Sequence, residues 1–146
     1  MSQVARRYYE RGRTALGNRD LESAQESLRA AVDLAPQYGD ARMAYAIALA
    51  KAGDHPRAAA VLRAGLGRAC SPILAAAMWS TLGDVLTGSG DFFGAEDAFN
   101  RARQHPAFVV RAAAGLARVY GKLARFADMA RELRIAAVGS VAVIAP

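Results

Sequence analysis

Residues 79–106 read WSTLGDVLTGSGDFFGAEDAFNRARQHP, and the spacing of their apolar and small side chains decides the fold. Trp79, Leu82 and Leu86 fall at i, i+3 and i+7 on one face of a first helix. Gly83 beside them lets a second helix approach the backbone. Gly88-Ser89-Gly90-Asp91 breaks the chain, and Asp91 stands where it can cap the helix that follows. On that second helix Ala95 and Ala102 supply small contact residues, Phe99 fills the space between them, and Pro106 closes the segment. The unit is a helical hairpin.

In order and spacing these residues resemble the tetratricopeptide repeat, whose pattern is W-x2-L-G-x2-Y, A-x3-F, P. Leu86 stands for the usual Tyr, and the proline comes one residue early. Three weaker copies stay in phase. The first uses Tyr8, Gly12, Ala15, Asp20-Leu21, Ala24, Leu28, Ala31 and Pro36, with Arg11 in place of a leucine. The second uses Tyr45, Ala46, Leu49, Gly53-Asp54, Ala58, Leu62 and Gly65, with Arg42 in the aromatic position and Cys70 with Pro72 in place of the closing proline. The fourth uses Ala113, Leu116, Ala117, Tyr120, Phe126, Met129, Leu133 and Ala136, and lacks the interhelical glycine.

The copies begin near residues 5, 39, 76 and 110, at spacings of 34, 37 and 34. The resemblance implies an all-α, right-handed superhelical solenoid of four helix-turn-helix hairpins. It places the repeat domain at 1–137, with repeats near 5–38, 39–75, 76–109 and 110–137, and leaves 138–146 as an apolar tail. Expected helices are 3–17, 20–34, 39–52, 55–68, 72–88, 91–104, 107–122 and 126–137. The extra residues near 68–76 predict a longer loop or an extended first helix. Gly139-Ser140 reads as a stop, after which Val141, Val143 and Ile144 are expected to cover the last hairpin or contact another chain.

Composition agrees with this class and limits the chemistry. The 146 residues are 53% hydrophobic and 22% charged, enough for a sizeable core and against native disorder. Alanine makes up about a quarter of the chain, which suits closely packed helices. A net charge of +6 favours acidic partners or a nucleic-acid backbone without choosing between them. The single cysteine, Cys70, excludes an internal disulfide and reads as a packing residue. The start MSQVARRYYERGR has no secretory apolar run, and the longest uncharged stretch, between Arg68 and Asp84, contains Pro72 and is too short to span a bilayer. A cytoplasmic location with no membrane partner is the expectation.

Catalysis has little to work with. There is no Gly-x-Ser-x-Gly turn, and His55 and His105 each precede a proline at a helix junction. The paired glycines near 12–17, 65–67 and 88–90 lack the strand and the Lys-Ser or Lys-Thr of a phosphate loop. Asp20, Glu22 and Glu26, like Glu96 and Asp97, suit a helix first turn or a solvated face. No enzyme activity, cofactor or metal site is expected.

In arrays of this family the concave surface is lined by the first helix of each hairpin. Carried onto this chain, that face holds Arg6, Tyr9 and Arg13, then Asp40, Met43, Ile47 and Lys51. It continues with Ala77, Ser80, Asp84 and Thr87, then Arg111, Ala114, Arg118 and Lys122. The partner-binding candidates are Arg6, Tyr9, Arg13, Asp40, Met43, Ile47, Lys51, Asp84, Arg111 and Arg118. Their mixture of cations with Tyr9, Met43 and Ile47 fits a protein or peptide partner bearing acidic and apolar residues. A subfamily that clamps chaperone tails uses lysines, asparagines and an arginine where this chain has Tyr9, Arg13, Ala44, Ala77 and Thr81, so only Arg13 could substitute. The resemblance implies a non-enzymatic interaction module or adaptor. The alternatives are a nucleic-acid-binding helical repeat, which Asp40, Asp84 and the lack of an aromatic series disfavour, and a secretion or assembly chaperone.

Overall fold

A computed structural model describes residues 2–68 and 71–144, with side chains as far as Gly139. The described residues are all-α. The helices are α1 (Gln3–Gly17), α2 (Leu21–Leu34), α3 (Gly39–Lys51), α4 (His55–Leu66), α5 (Pro72–Ser89), α6 (Phe92–Ala102), α7 (Val109–Lys122) and α8 (Phe126–Ile144), with a 3-10 turn over Pro106–Phe108. They pair into hairpins α1–α2, α3–α4, α5–α6 and α7–α8. The chain divides into two compact units, 1–70 and 71–146, each holding two hairpins.

Each hairpin turns through one left-handed residue at the same repeat position. These are Arg19 (φ 61°), Gly53 (φ 88°), Gly90 (φ 84°) and Ala124 (φ 56°). The first and fourth copies make the same turn without a glycine there, with Arg19 and Ala124 bearing the strain that a Cβ brings. The following residue caps the second helix in three of the four. Asp20, Asp54 and Asp91 accept from the backbone N–H of Ser23 (3.2 Å), Arg57 (3.2 Å) and Gly94 (3.0 Å). Arg125 takes that place in the fourth, where it donates to Asp128 (2.9 Å) in the same first turn and to Glu96 (2.9 Å) across the unit.

Close helix contact rests on the missing side chains of glycine. A Cβ on Gly83 would lie 2.6 Å from the Phe99 ring, and one on Gly115 would lie 2.5 Å from the same ring. Phe99 is therefore gripped between α5 and α7. In the first unit Leu28 occupies the corresponding place against Gly12, where a Cβ would collide with the leucine side chain. Arg42 stands in the aromatic position of the second hairpin. It is buried, and its guanidinium donates to the carbonyls of Pro36 (3.1 Å) and Val61 (3.3 Å). Burial, with Arg68 adding repulsion, lowers its pKa.

One open alternative is resolved and two expectations are revised. The extra residues before the third repeat lengthen α5, which starts at Pro72 with Ser71 accepting from the Leu74 N–H (3.3 Å); Cys70 and its predicted packing lie outside the described residues. The helix expected to end at 137 continues through Gly139-Ser140 to Ile144. Gly139 is not a stop because α8 passes Val110 so closely that a Cβ would strike its Cγ2. The expected packing of Val141, Val143 and Ile144 falls on side chains outside those described. Glu96, read as part of a solvated face, is in fact half-buried and held by Arg125.

Gly115→Ala should destabilise the protein by about 1–3 kcal/mol in chemical denaturation, because Phe99 is held from both sides and cannot yield. Ala124→Gly should raise stability by up to about 1 kcal/mol by relieving the left-handed strain.

Candidate functional site

The ten candidate residues fall into two sets, one on each unit. In the first unit Tyr9 of α1 is half-buried, and its ring meets Tyr38 edge-on at 5.1 Å with an interplanar angle of 85°. The Arg13 guanidinium lies 5.6 Å from the centre of the Tyr9 ring. Burial raises the Tyr9 pKa; Arg13 opposes that shift while Tyr38, Asp40 and Glu10 add to it. The phenol is thus a neutral donor at physiological pH, set between a cation and a carboxylate. Met43 and Ile47 of α3 are half-buried, and Arg6, Asp40 and Lys51 are exposed. This set joins an apolar strip to charges of both signs.

In the second unit a cleft of about 740 Å³ opens between α5, α7 and α8. Asp84, Arg111 and Arg118 all line it, so the structure brings these three candidates together. Asp84 and Arg118 pair at 2.9 Å. Burial raises the Asp84 pKa, against the opposing pull of Arg118 and Arg111. Lys122 also faces the cleft, whose apolar wall includes Ala114, Ala117, Met129 and Leu133. Arg118 is neutralised locally, whereas Arg111 and Lys122 make no ion pair among the described residues. The cleft is apolar in its floor and net positive at its rim.

Met129 and Leu133 were legible in the sequence only as members of the repeat core. The structure puts them in the wall of the cleft, with Leu133 half exposed, because no further hairpin lies against α8 among the described residues. A second group escaped sequence reasoning. Glu132 is buried, and its carboxylate accepts from Arg103 at 2.6 Å, joining the end of α6 to α8. No local pattern links residues 29 apart. His105 serves structure: its Nδ1 accepts from the Ala107 N–H (3.1 Å) and starts the 3-10 turn. Among the described residues no cluster of three or more His, Cys, Asp or Glu is placed to hold a metal. No helix there is long and apolar enough to cross a membrane.

Hairpins repeated in register, turning through one left-handed residue and packed through small side chains, define a helical-repeat protein. The profile of the tetratricopeptide repeat matches residues 9–72 of this chain. Solved structures share the fold. The RS-1 ArsTM double mutant of MamA superposes with a TM-score of 0.80 at 16% identity, covering 100% of this chain and 80% of that one. Another MamA crystal structure gives 0.72 at 15% identity, covering 86% and 71%. PilF of Pseudomonas aeruginosa gives 0.74 at 20% identity, covering 91% of this chain and 61% of that one. No curated protein sequence matches the chain.

The raised Asp84 pKa carries a sign. The folded state favours the protonated carboxyl more than the unfolded state does, so this group weakens folding above its unfolded pKa and ceases to do so as the pH falls. Asp84→Asn should therefore be at least as resistant to urea as the parent at neutral pH. That advantage should shrink as the pH falls through the carboxylate range, which denaturation midpoints across a pH series would measure.

Proposed function

We propose that this protein is a non-enzymatic interaction module, an adaptor that holds a segment of a partner protein on the exposed faces of its first helices. The carrying observation is the cleft of the second unit, where a 740 Å³ space has an apolar floor and a cationic rim. That size falls in the range of about 300–1,000 Å³ typical of binding pockets. The first unit supports the same reading through Tyr9, Met43 and Ile47, which stay partly open to solvent beside Arg6 and Arg13. Apolar side chains supply the desolvation energy, and the arginines supply paired donors for carboxylates.

The proposal extends to partner chemistry and location. A partner bearing acidic and apolar residues matches both faces, and the cytoplasm is the location proposed. Single-stranded nucleic acid fits less well. Asp40 and Asp84 interrupt the basic positions, and Arg13 is already engaged over Tyr9.

Capture of partners from the native cell, read by mass spectrometry, tests the reading when it is run on paired variants. Met43→Asp on the first unit and Arg111→Glu on the second should each reduce recovery of the same partner at least tenfold. Arg63→Glu, on the exposed side of α4, should leave recovery unchanged. Loss with Arg63→Glu alone would move the interaction to the other surface. Single-stranded RNA at physiological salt should bind no tighter than about micromolar, and nanomolar binding would replace the protein-partner reading.

A further inference from the structure

The second unit contains one helix seat that is filled and, one repeat later, a seat of the same kind on which no helix lies among the described residues. The filled seat is the surface of α5 and α6 on which α7 lies. There Gly115 of α7 rests against Phe99, and Arg118 of α7 donates to Asp84 at 2.9 Å. Moving 34 residues along the chain carries Phe99 to Leu133 and Asp84 to Arg118. Phe99 is 1% exposed and Leu133 is 50% exposed. Both Leu133 and Arg118 line the 740 Å³ cleft.

We propose that this cleft is the seat of a partner helix that presents a small residue to Leu133 and, three positions later, a carboxylate to Arg118. The proposal rests on the partner-binding reading and specifies the occupant of its second-unit site. The small residue follows from the filled seat, where only glycine leaves room for the ring beneath it. The three-residue step is that between Gly115 and Arg118. The sign of the charge follows from the exchange of Asp84 for Arg118, reinforced by Arg111 and Lys122 along the same rim. Asp84, the carboxylate among the described lining residues, takes one donor of the Arg118 fork at 2.9 Å, and the rest of that exposed guanidinium is left to a second carboxylate.

A second copy of this chain, docked through its α1, is the wrong occupant. In the repeat register α1 carries Glu10 where α7 has Gly115 and Arg13 where α7 has Arg118. It would set a long charged side chain against Leu133 and an arginine against Arg118. The code required is Gly, two residues of any kind, then Asp or Glu, on the inward face of an amphipathic helix.

The sequence of α7 itself supplies the probe. A labelled peptide of residues 109–122, stapled as a helix on its solvent side and carrying Arg111→Glu and Arg118→Glu, is titrated against the full chain by fluorescence anisotropy. It should bind at least tenfold tighter than the stapled peptide with both arginines, and adding Gly115→Leu to the peptide should abolish binding. Leu133→Asp in the protein should weaken binding at least tenfold. Arg118→Glu in the protein should reverse the order of the two peptides. Equal affinity for both peptides, or indifference to Leu133→Asp, would overturn the proposal. So would sedimentation that shows a dimer of the parent chain lost in Leu133→Asp, since a second copy would then hold the seat. If the peptides fail while Met43→Asp still prevents partner capture, the helix seat is wrong and the partner-binding reading stands.

Discussion

The Phe99 ring lies where a Cβ on either Gly83 or Gly115 would have to be, and the geometry of the second unit depends on that exclusion. One large side chain set between two glycines brings three helices close enough for their backbones to share a single apolar layer. Burying such a ring contributes about 1.5–3 kcal/mol by transfer from water, and its fixed position also sets helix spacing. Leu28 against Gly12 makes the corresponding contact in the first unit. The many buried alanines follow from the same constraint. Ala24, Ala31, Ala95 and Ala102 are buried because larger side chains there would push the helices apart.

Two buried charges sit inside this alanine-rich framework. Arg42 replaces an aromatic residue and bonds to carbonyls of the loop before α3 and of α4, so one side chain joins three segments by hydrogen bonds where a ring would join them by area. Among the described residues no carboxylate pairs with it, and desolvation governs its pKa. Glu132 instead has an arginine partner at 2.6 Å. Such a pair adds little net stability over an apolar alternative but makes a misplaced α8 costly, because a shifted helix would leave a buried charge alone.

The hairpins, their caps and the role of Gly83 were legible because each is written within one 34-residue copy. Asp91 caps, Gly90 turns and Phe99 packs for reasons that its near neighbours state. What was not legible joins distant residues. Gly139 looked like a helix stop because the identity of the residue it meets, Val110, cannot be read from local spacing. The Arg103–Glu132 pair crosses 29 residues and has no counterpart in the other copies. Among the candidate residues, Asp84, Arg111 and Arg118 were placed on one face by repeat position, and they line one cleft. The α8 wall was missed because Leu133 occupies a core position of the pattern, and pattern alone does not say whether a neighbour is there to cover it.

The repeat positions also distinguish α1 from α8. Positions that are buried as Ala41, Ala44 and Tyr45 in α3, and as Ala112, Gly115 and Leu116 in α7, are Arg7, Glu10 and Arg11 in α1, all exposed. Charge at those three places leaves that face of α1 solvated. No such exchange occurs on α8, where Phe126, Leu133 and Val138 remain apolar and at least half exposed. An apolar helix face of this kind gains free energy from any partner that removes it from water. The cleft therefore needs no dedicated binding loop. It arises from the same packing that builds the hairpins, and under the helix-seat proposal the arginines on its rim would select the helix that closes it.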